Sequence, residues 1–225
     1  MKKLLIGIAI LAIAVMSQAQ RGGFGMMGGG GGGVASAAML LGREDVQTEL
    51  ALTDDQKDKI TALTDPQQMF PKMQKYMADA GMSFEDMRSE EGRKKMGPLM
   101  EKMQADLKKE MDTILTPTQS KRLAEIVIQE SKFSAVFQKD IAKALAITED
   151  QDTKLKALQK AQGDAQRGLG NQMRNQEITM EELQAKMKKN TEILNSEIGK
   201  ILTEPQKAKL KEMGGKPFVK KDDGN

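Results

Sequence analysis

"DVQTELALTDDQKDKITAL", Asp45 to Leu63, aligns without a gap on "DIAKALAITEDQDTKLKAL", Asp140 to Leu158, at an offset of 95 positions. A second pair, "EMDTILTPTQSKRLAEI" (Glu110 to Ile126) and "EIGKILTEPQKAKLKEM" (Glu197 to Met213), aligns at an offset of 87. The chain therefore reads as two copies of one unit, 37–130 and 131–213, joined near Gln129 to Val136. The shift between the offsets gives the first copy eight extra residues, expected around "EEGRKKMGP", Glu90 to Pro98.

Both copies have helical composition. From Ala37 to Met213 the residues are mainly Ala, Leu, Met, Gln, Glu and Lys, aromatics make up 3% of the chain, and no stretch alternates β-branched residues. The fold class is all-α. Within each copy a short motif occurs twice: "LTDDQ" at Leu52 and "LTPTQ" at Leu115, then "ITEDQ" at Ile147 and "LTEPQ" at Leu202. Thr53, Thr116, Thr148 and Thr203 each suit a helix N-cap, with Gln56, Gln119, Gln151 and Gln206 at N3 completing a capping box. Acidic residues in the following turn favour the positive helix end, and Pro117 fits N1. The apolar residue before each threonine should clamp against Ile60, Leu123, Leu155 or Leu210. A fifth match, "LTDPQ" at Leu63, has "LQKAQ" as its counterpart and is read as an accident or a kink near Pro66.

Taken together, "ELALTDDQKDKI" near the start of a unit and "ILTPTQSKRL" near its end resemble the LTxxQ-motif, Spy/CpxP-like family of bacterial periplasmic proteins. The resemblance rests on Leu52, Thr53, Gln56, Leu115, Thr116 and Gln119, and in the second copy on Ile147, Thr148, Gln151, Leu202, Thr203 and Gln206. It implies an elongated helical hairpin or cradle in which two protomers wrap antiparallel, each supplying one pair of motifs. Here one chain supplies both pairs, so the internal repeat points to a fused pseudo-dimer, acting as a monomer or pairing further as a homodimer.

The chain ends read differently from its middle. Lys2 and Lys3, the apolar run Leu4 to Met16 and "SQA" before Gln20 form a secretory signal with cleavage expected after Ala19, which places the chain in the periplasm. The apolar run is short for a membrane span, and no stable insertion is expected. "RGGFGMMGGGGGG", Arg21 to Gly33, makes 20–36 a flexible tether, and "GGKPFVKKDDGN" makes 214–225 a disordered tail.

Composition excludes several functions. With 35 Lys+Arg against 32 Asp+Glu, two of the lysines in the signal, and a single tyrosine, nothing favours nucleic acid. Without histidine or cysteine there is no usual catalytic dyad or triad and no thiolate, so no enzyme is expected. A zinc site would need carboxylates alone, and no cofactor is expected. No phosphate-binding P-loop occurs, so any activity must run on binding energy.

The chain has eighteen methionines, nine of them from Met69 to Met111. Met96, Met100, Met103, Leu107, Met111 and Ile114 form an apolar stripe whose counterparts are Leu183, Met187, Asn190, Leu194, Ile198 and Ile201. Apolar bulk is what that stripe requires, which reads as packing. Met69, Met73, Met77 and Met82 have no methionine-rich counterpart apart from Met173. They are the candidate client-contact run, with copper(I) as the sharper alternative reading of Met69, Met73 and Met77. The functional expectation is an ATP-independent chaperone that holds unfolded or misfolded envelope proteins. The alternatives are an envelope-stress regulator or metal-responsive sensor that binds a membrane sensor protein, and a purely structural envelope protein.

Overall fold

A threonine or other side-chain cap at most of the helix starts divides a strongly helical sequence into separate rods. The computed structural model describes residues 33–83, 85, 86 and 89–219. In order they form α1 (Gly33–Leu41), α2 (Glu44–Glu49), α3 (Asp54–Thr64), α4 (Pro66–Asp79), α5 (Glu90–Ile114), α6 (Pro117–Ser131) and a 3-10 segment (Lys132–Phe137). Then follow α7 (Lys139–Ala144), α8 (Glu149–Arg174), α9 (Met180–Ile201) and α10 (Glu204–Met213), with no strand among the described residues. The chain is all-α, as its composition demands.

The repeat holds at the level of single backbone hydrogen bonds. Helix α2 ends with Leu52 N–H donating to the Gln47 carbonyl and Ala51 N–H to that of Thr48, with Ala51 at φ 48°. Helix α7 ends identically: Ile147 donates to Ala142, Ala146 to Lys143, and Ala146 sits at φ 49°. This is a Schellman close with alanine where glycine is usual. At the far ends of α4 and α8 the same pattern returns. Met82 donates to Met77 and Glu177 to Gln172, around Gly81 at φ 61° and Gln176 at φ 63°. The offset of 95 therefore persists to the tip of each hairpin. Of the eight extra residues, five lie in the connector before α5 and three in that helix's first turn, Glu90 to Gly92. The surplus sits earlier than the expected Glu90 to Pro98 stretch, which it only partly overlaps.

Pro66 produces the main departure from the repeat. Where α8 runs unbroken for 26 residues, about 39 Å at 1.5 Å per residue, the first copy stops at Thr64 and restarts. Asp65 is extended, at φ −62° and ψ 118°, and its side chain caps the Gln67 N–H at 2.8 Å. The fifth motif match is thus a helix boundary capped by Asp65, one residue beyond the threonine.

Two large apolar cores result, one per copy, with a smaller cluster between α4 and α5. The first gathers Leu40, Leu41, Val46, Leu52, Ile60, Met111, Leu115, Leu123 and Ile126, among others. The second gathers Val136, Ile141, Leu145, Leu155, Ile198, Leu202 and Leu210. Each residue before a motif threonine shares a core with its expected clamp partner: Leu52 with Ile60, Leu115 with Leu123, Ile147 with Leu155, Leu202 with Leu210. Helix α6 passes from one core to the other, since Val127 belongs to the first and Ile128 to the second. Gly199 lets the 3-10 segment close on α9, because a Cβ there would stand 3.0 Å from the Phe133 ring.

Both chain ends correct the sequence reading. The tether expected over 20–36 gives way to helix at Gly33, because Ala37, Ala38, Leu40 and Leu41 of α1 bury against the first core and carry the helix back through Ser36. The rest of that stretch and the expected signal, 1–19, lie outside the described residues. The tail expected to be loose from 214 is instead docked as far as Phe218. Gln129 Nε2 donates to the Gly214 and Lys216 carbonyls, and Phe218 N–H donates to Gln129 Oε1 at 2.8 Å. Lys216 pairs with Glu49 at 3.0 Å, and Arg43 stands over the Phe218 ring at 5.8 Å. The end of the second copy is thereby fastened to the first. Residues 220–225 lie outside the described residues.

Candidate functional site

All four motif threonines are N-caps of complete capping boxes. In the first, Gln56 N–H donates to Thr53 Oγ1 at 3.3 Å and Thr53 N–H to Gln56 Oε1 at 3.1 Å. The glutamines also reach beyond their own helices. Gln56 Nε2 donates to the Ile114 carbonyl at 2.7 Å, and Gln119 Nε2 to the Leu50 carbonyl at 3.1 Å. The two carboxamides hydrogen-bond each other at 2.8 and 3.1 Å. In the second copy Gln151 reaches Ile201, Gln206 reaches Leu145, and the two pair at 2.8 and 3.0 Å. Each glutamine thus completes its own helix start and ties up a carbonyl at the end of the helix leading into the other motif. Gln151 is buried and the other three are half-buried, and their carboxamides serve as joints between helices. Another capping box, Thr179 with Glu182 at the start of α9, lies outside the motif and was missed in the sequence; its T-x-x-E spacing was the available signal.

The candidate client-contact run is mostly closed. Met77 is 2% exposed and Met82 7%, packed with Leu99. Met73, Tyr76, Met96 and Met103 lie against them, half-buried. The side chain of Met69 lies outside the described residues. Met77 and Met82 are therefore corrected from surface to interior: α4 folds back on α5, and the methionines fill the space between the two helices. The α5 stripe is packing along its length, with Met96 and Met103 in this tip cluster and Leu107, Met111 and Ile114 at the first core. Tyr76 Oη donates to Asp106 Oδ2 at 2.9 Å, and Lys102 stands 4.6 Å over its ring. Burial, then the Asp106 hydrogen bond, pushes the Tyr76 hydroxyl up to about 12.

The second tip is built from different residues. The positions of Met73, Met77 and Met82 are taken by Gly168, Gln172 and Glu177, and those of Leu99 and Met103 by Lys186 and Asn190. Where Met77 and Leu99 bury each other, Lys186 Nζ donates to Gln172 Oε1 at 3.3 Å. Leu169 and Ile178 are buried at this tip, while Met180 and Met187 of α9 are 45% and 38% exposed. Ile193 on α9, Phe70 on α4 and Met39 on α1 are exposed as well. Around them run solvated ion pairs at i,i+4, among them Lys160–Asp164 and Lys75–Asp79. Pairs of this kind contribute little stability. They leave a surface of scattered apolar side chains set among solvated charges.

Among the described residues no group of three or more acidic, histidine or cysteine side chains could hold a metal ion, and no helix is long and apolar enough to cross a membrane. No family model, curated protein or solved structure matches the chain.

Proposed function

We propose that this chain is an ATP-independent chaperone of the bacterial envelope, a single-chain relative of the Spy/CpxP-like proteins whose motif it resembles. The observation that carries the reading is the exposed Met180, Met187 and Ile193 on α9, part of a long hairpin whose tip is filled by Leu169 and Ile178 and has no methionine cluster like that of its counterpart. Flexible methionine side chains accept many shapes of partner. Spaced among lysines and glutamates, they make weak, exchangeable contacts, so a bound client can leave or fold without an energy source. The envelope location rests on the signal expected in residues 1–19.

Light scattering tests the reading. A chemically denatured client is diluted with and without the purified protein, in the absence of nucleotide. Suppression of aggregation near equimolar ratio is expected. No suppression with several clients, from a protein shown to be folded and helical, would overturn the chaperone and favour a regulator that binds one membrane partner.

A further inference from the structure

The first turn of α1, the 3-10 segment, α8 and α9 enclose a cleft of about 430 Å³. Its walls carry unspent hydrogen-bonding capacity. The carboxamides of Gln138, Gln159, Gln162 and Gln166 and the hydroxyls of Ser36 and Ser131 line it. None of these six side chains hydrogen-bonds another described residue, in contrast to the fully engaged motif glutamines of the same chain. The one charged side chain at the wall, Arg167, is neutralised by its pair with Asp164. Apolar contact is confined to Phe137 and Leu194, both half-buried. Gly33 leaves room for Gln138, whose carboxamide occupies the space a side chain at position 33 would need.

A neutral cleft rich in carboxamides is the chemical complement of a main-chain amide, because each carboxamide offers one acceptor and an NH₂ donor side by side. The spacing fits as well. Gln162 and Gln166 lie on one stripe of α8, four residues and about 6 Å apart along its axis. Successive amides on one side of an extended chain recur about every 6.6 Å, two residues of strand rise. We propose that this cleft binds an extended segment of unfolded polypeptide through its main-chain amides, whatever its side chains. The inference rests on the chaperone reading and deepens it. Apolar side chains of a client would meet the methionines of α9, while a neighbouring stretch of its backbone lies in the carboxamide cleft. Main-chain hydrogen bonds exchanged for water are individually weak, which suits rapid release.

Side-chain NH₂ resonances of the glutamines report the cleft directly by NMR. A (Gly-Ser)₈ peptide, which has no apolar side chains, is titrated into the labelled protein alongside its analogue with N-methylated glycines. The resonances of Gln138, Gln162 and Gln166 should shift saturably with the first peptide, and the N-methylated peptide should bind at least tenfold more weakly. Equal responses to both peptides, no response to either, or shifts produced only by a dextran oligomer would overturn the inference, the last in favour of a polyol site. The light-scattering assay on the same preparation separates the two ideas. If aggregation is suppressed while the peptide leaves these resonances unmoved, the cleft assignment falls and the chaperone stands; if neither effect occurs, both fall.

Discussion

The two hairpin tips share one helix close and differ in the side chains that fill them. Both end in the same Schellman close, 95 positions apart, but one buries Met77, Met82 and Leu99, while the other sets Gln172, Glu177 and Lys186 at those places. Near the motifs the copies have stayed alike down to the glutamine pairs. The difference teaches where the unit needs its sequence. Helix starts and their mutual tie are repeated because each donor and carbonyl must be satisfied, whereas a tip can be filled by methionines, as in the first copy, or by Leu169 and Ile178, as in the second. In this account the methionine cluster stabilises the first hairpin, and the second hairpin leaves Met180 and Met187 exposed.

The largest effect should separate the tips. Met77→Ala empties a buried site and is expected to cost the α4–α5 tip about 3 kcal/mol, whereas Gln172→Ala at the matching position should cost under about 1 kcal/mol. Hydrogen exchange of α4 and α8 amides reads each tip locally, and equal losses would erase the distinction.

A smaller effect tests the similarity at the motifs. Gln151→Ala strips hydrogen bonds from Thr148 N–H, the Ile201 carbonyl and Gln206 together, for about 2 kcal/mol. Combined with Gln206→Ala it should be non-additive by at least about 0.5 kcal/mol in denaturant titrations. Thr53→Ala and Thr148→Ala should each cost about 1 kcal/mol, and because their caps match, by the same amount.

Acid should distinguish the copies through the docked tail. Lys216, then Arg122, hydrogen-bonds Glu49 and holds its carboxyl below the usual glutamate range, against some burial. The position equivalent to Glu49 in the second copy is Ala144, which cannot titrate. A depressed folded-state pKa means this stabilisation is complete above the ordinary glutamate value and is lost as pH falls through the lowered one. Exchange protection of the Phe218 amide should therefore drop in that acid window before protection in α7 does. The smallest effect is a gain: Gln176→Gly, which copies Gly81 at the same positive φ, should stabilise the second tip by about 0.5 kcal/mol, read as a rise in Tm.

The all-α fold, the duplication and the four helix starts were legible because capping boxes and offsets are local patterns. Other features depend on distant residues. A capping glutamine looks the same whether or not its amide also binds a residue 63 positions away, as Gln56 binds Gln119. "GGKPF" reads as a loose end, and only the placement of Gln129 and Arg43 reveals its dock. Met77 and Met82 lacked methionine counterparts and so read as surface, when the cause is that the two tips are filled differently. The carboxamide cleft draws on five separate elements, and no stretch of sequence displays it.

Photocrosslinking tests the central claim most directly. A benzophenone side chain is placed at exposed position 187 of the second hairpin, at buried position 82 of the first tip, or at exposed Thr118 as a control, and irradiated with an unfolded client. Adducts at 187 that vanish once the client is folded are predicted. Adducts at 82 with none at 187 would contradict the account, because the methionine tip would then open to hold the client.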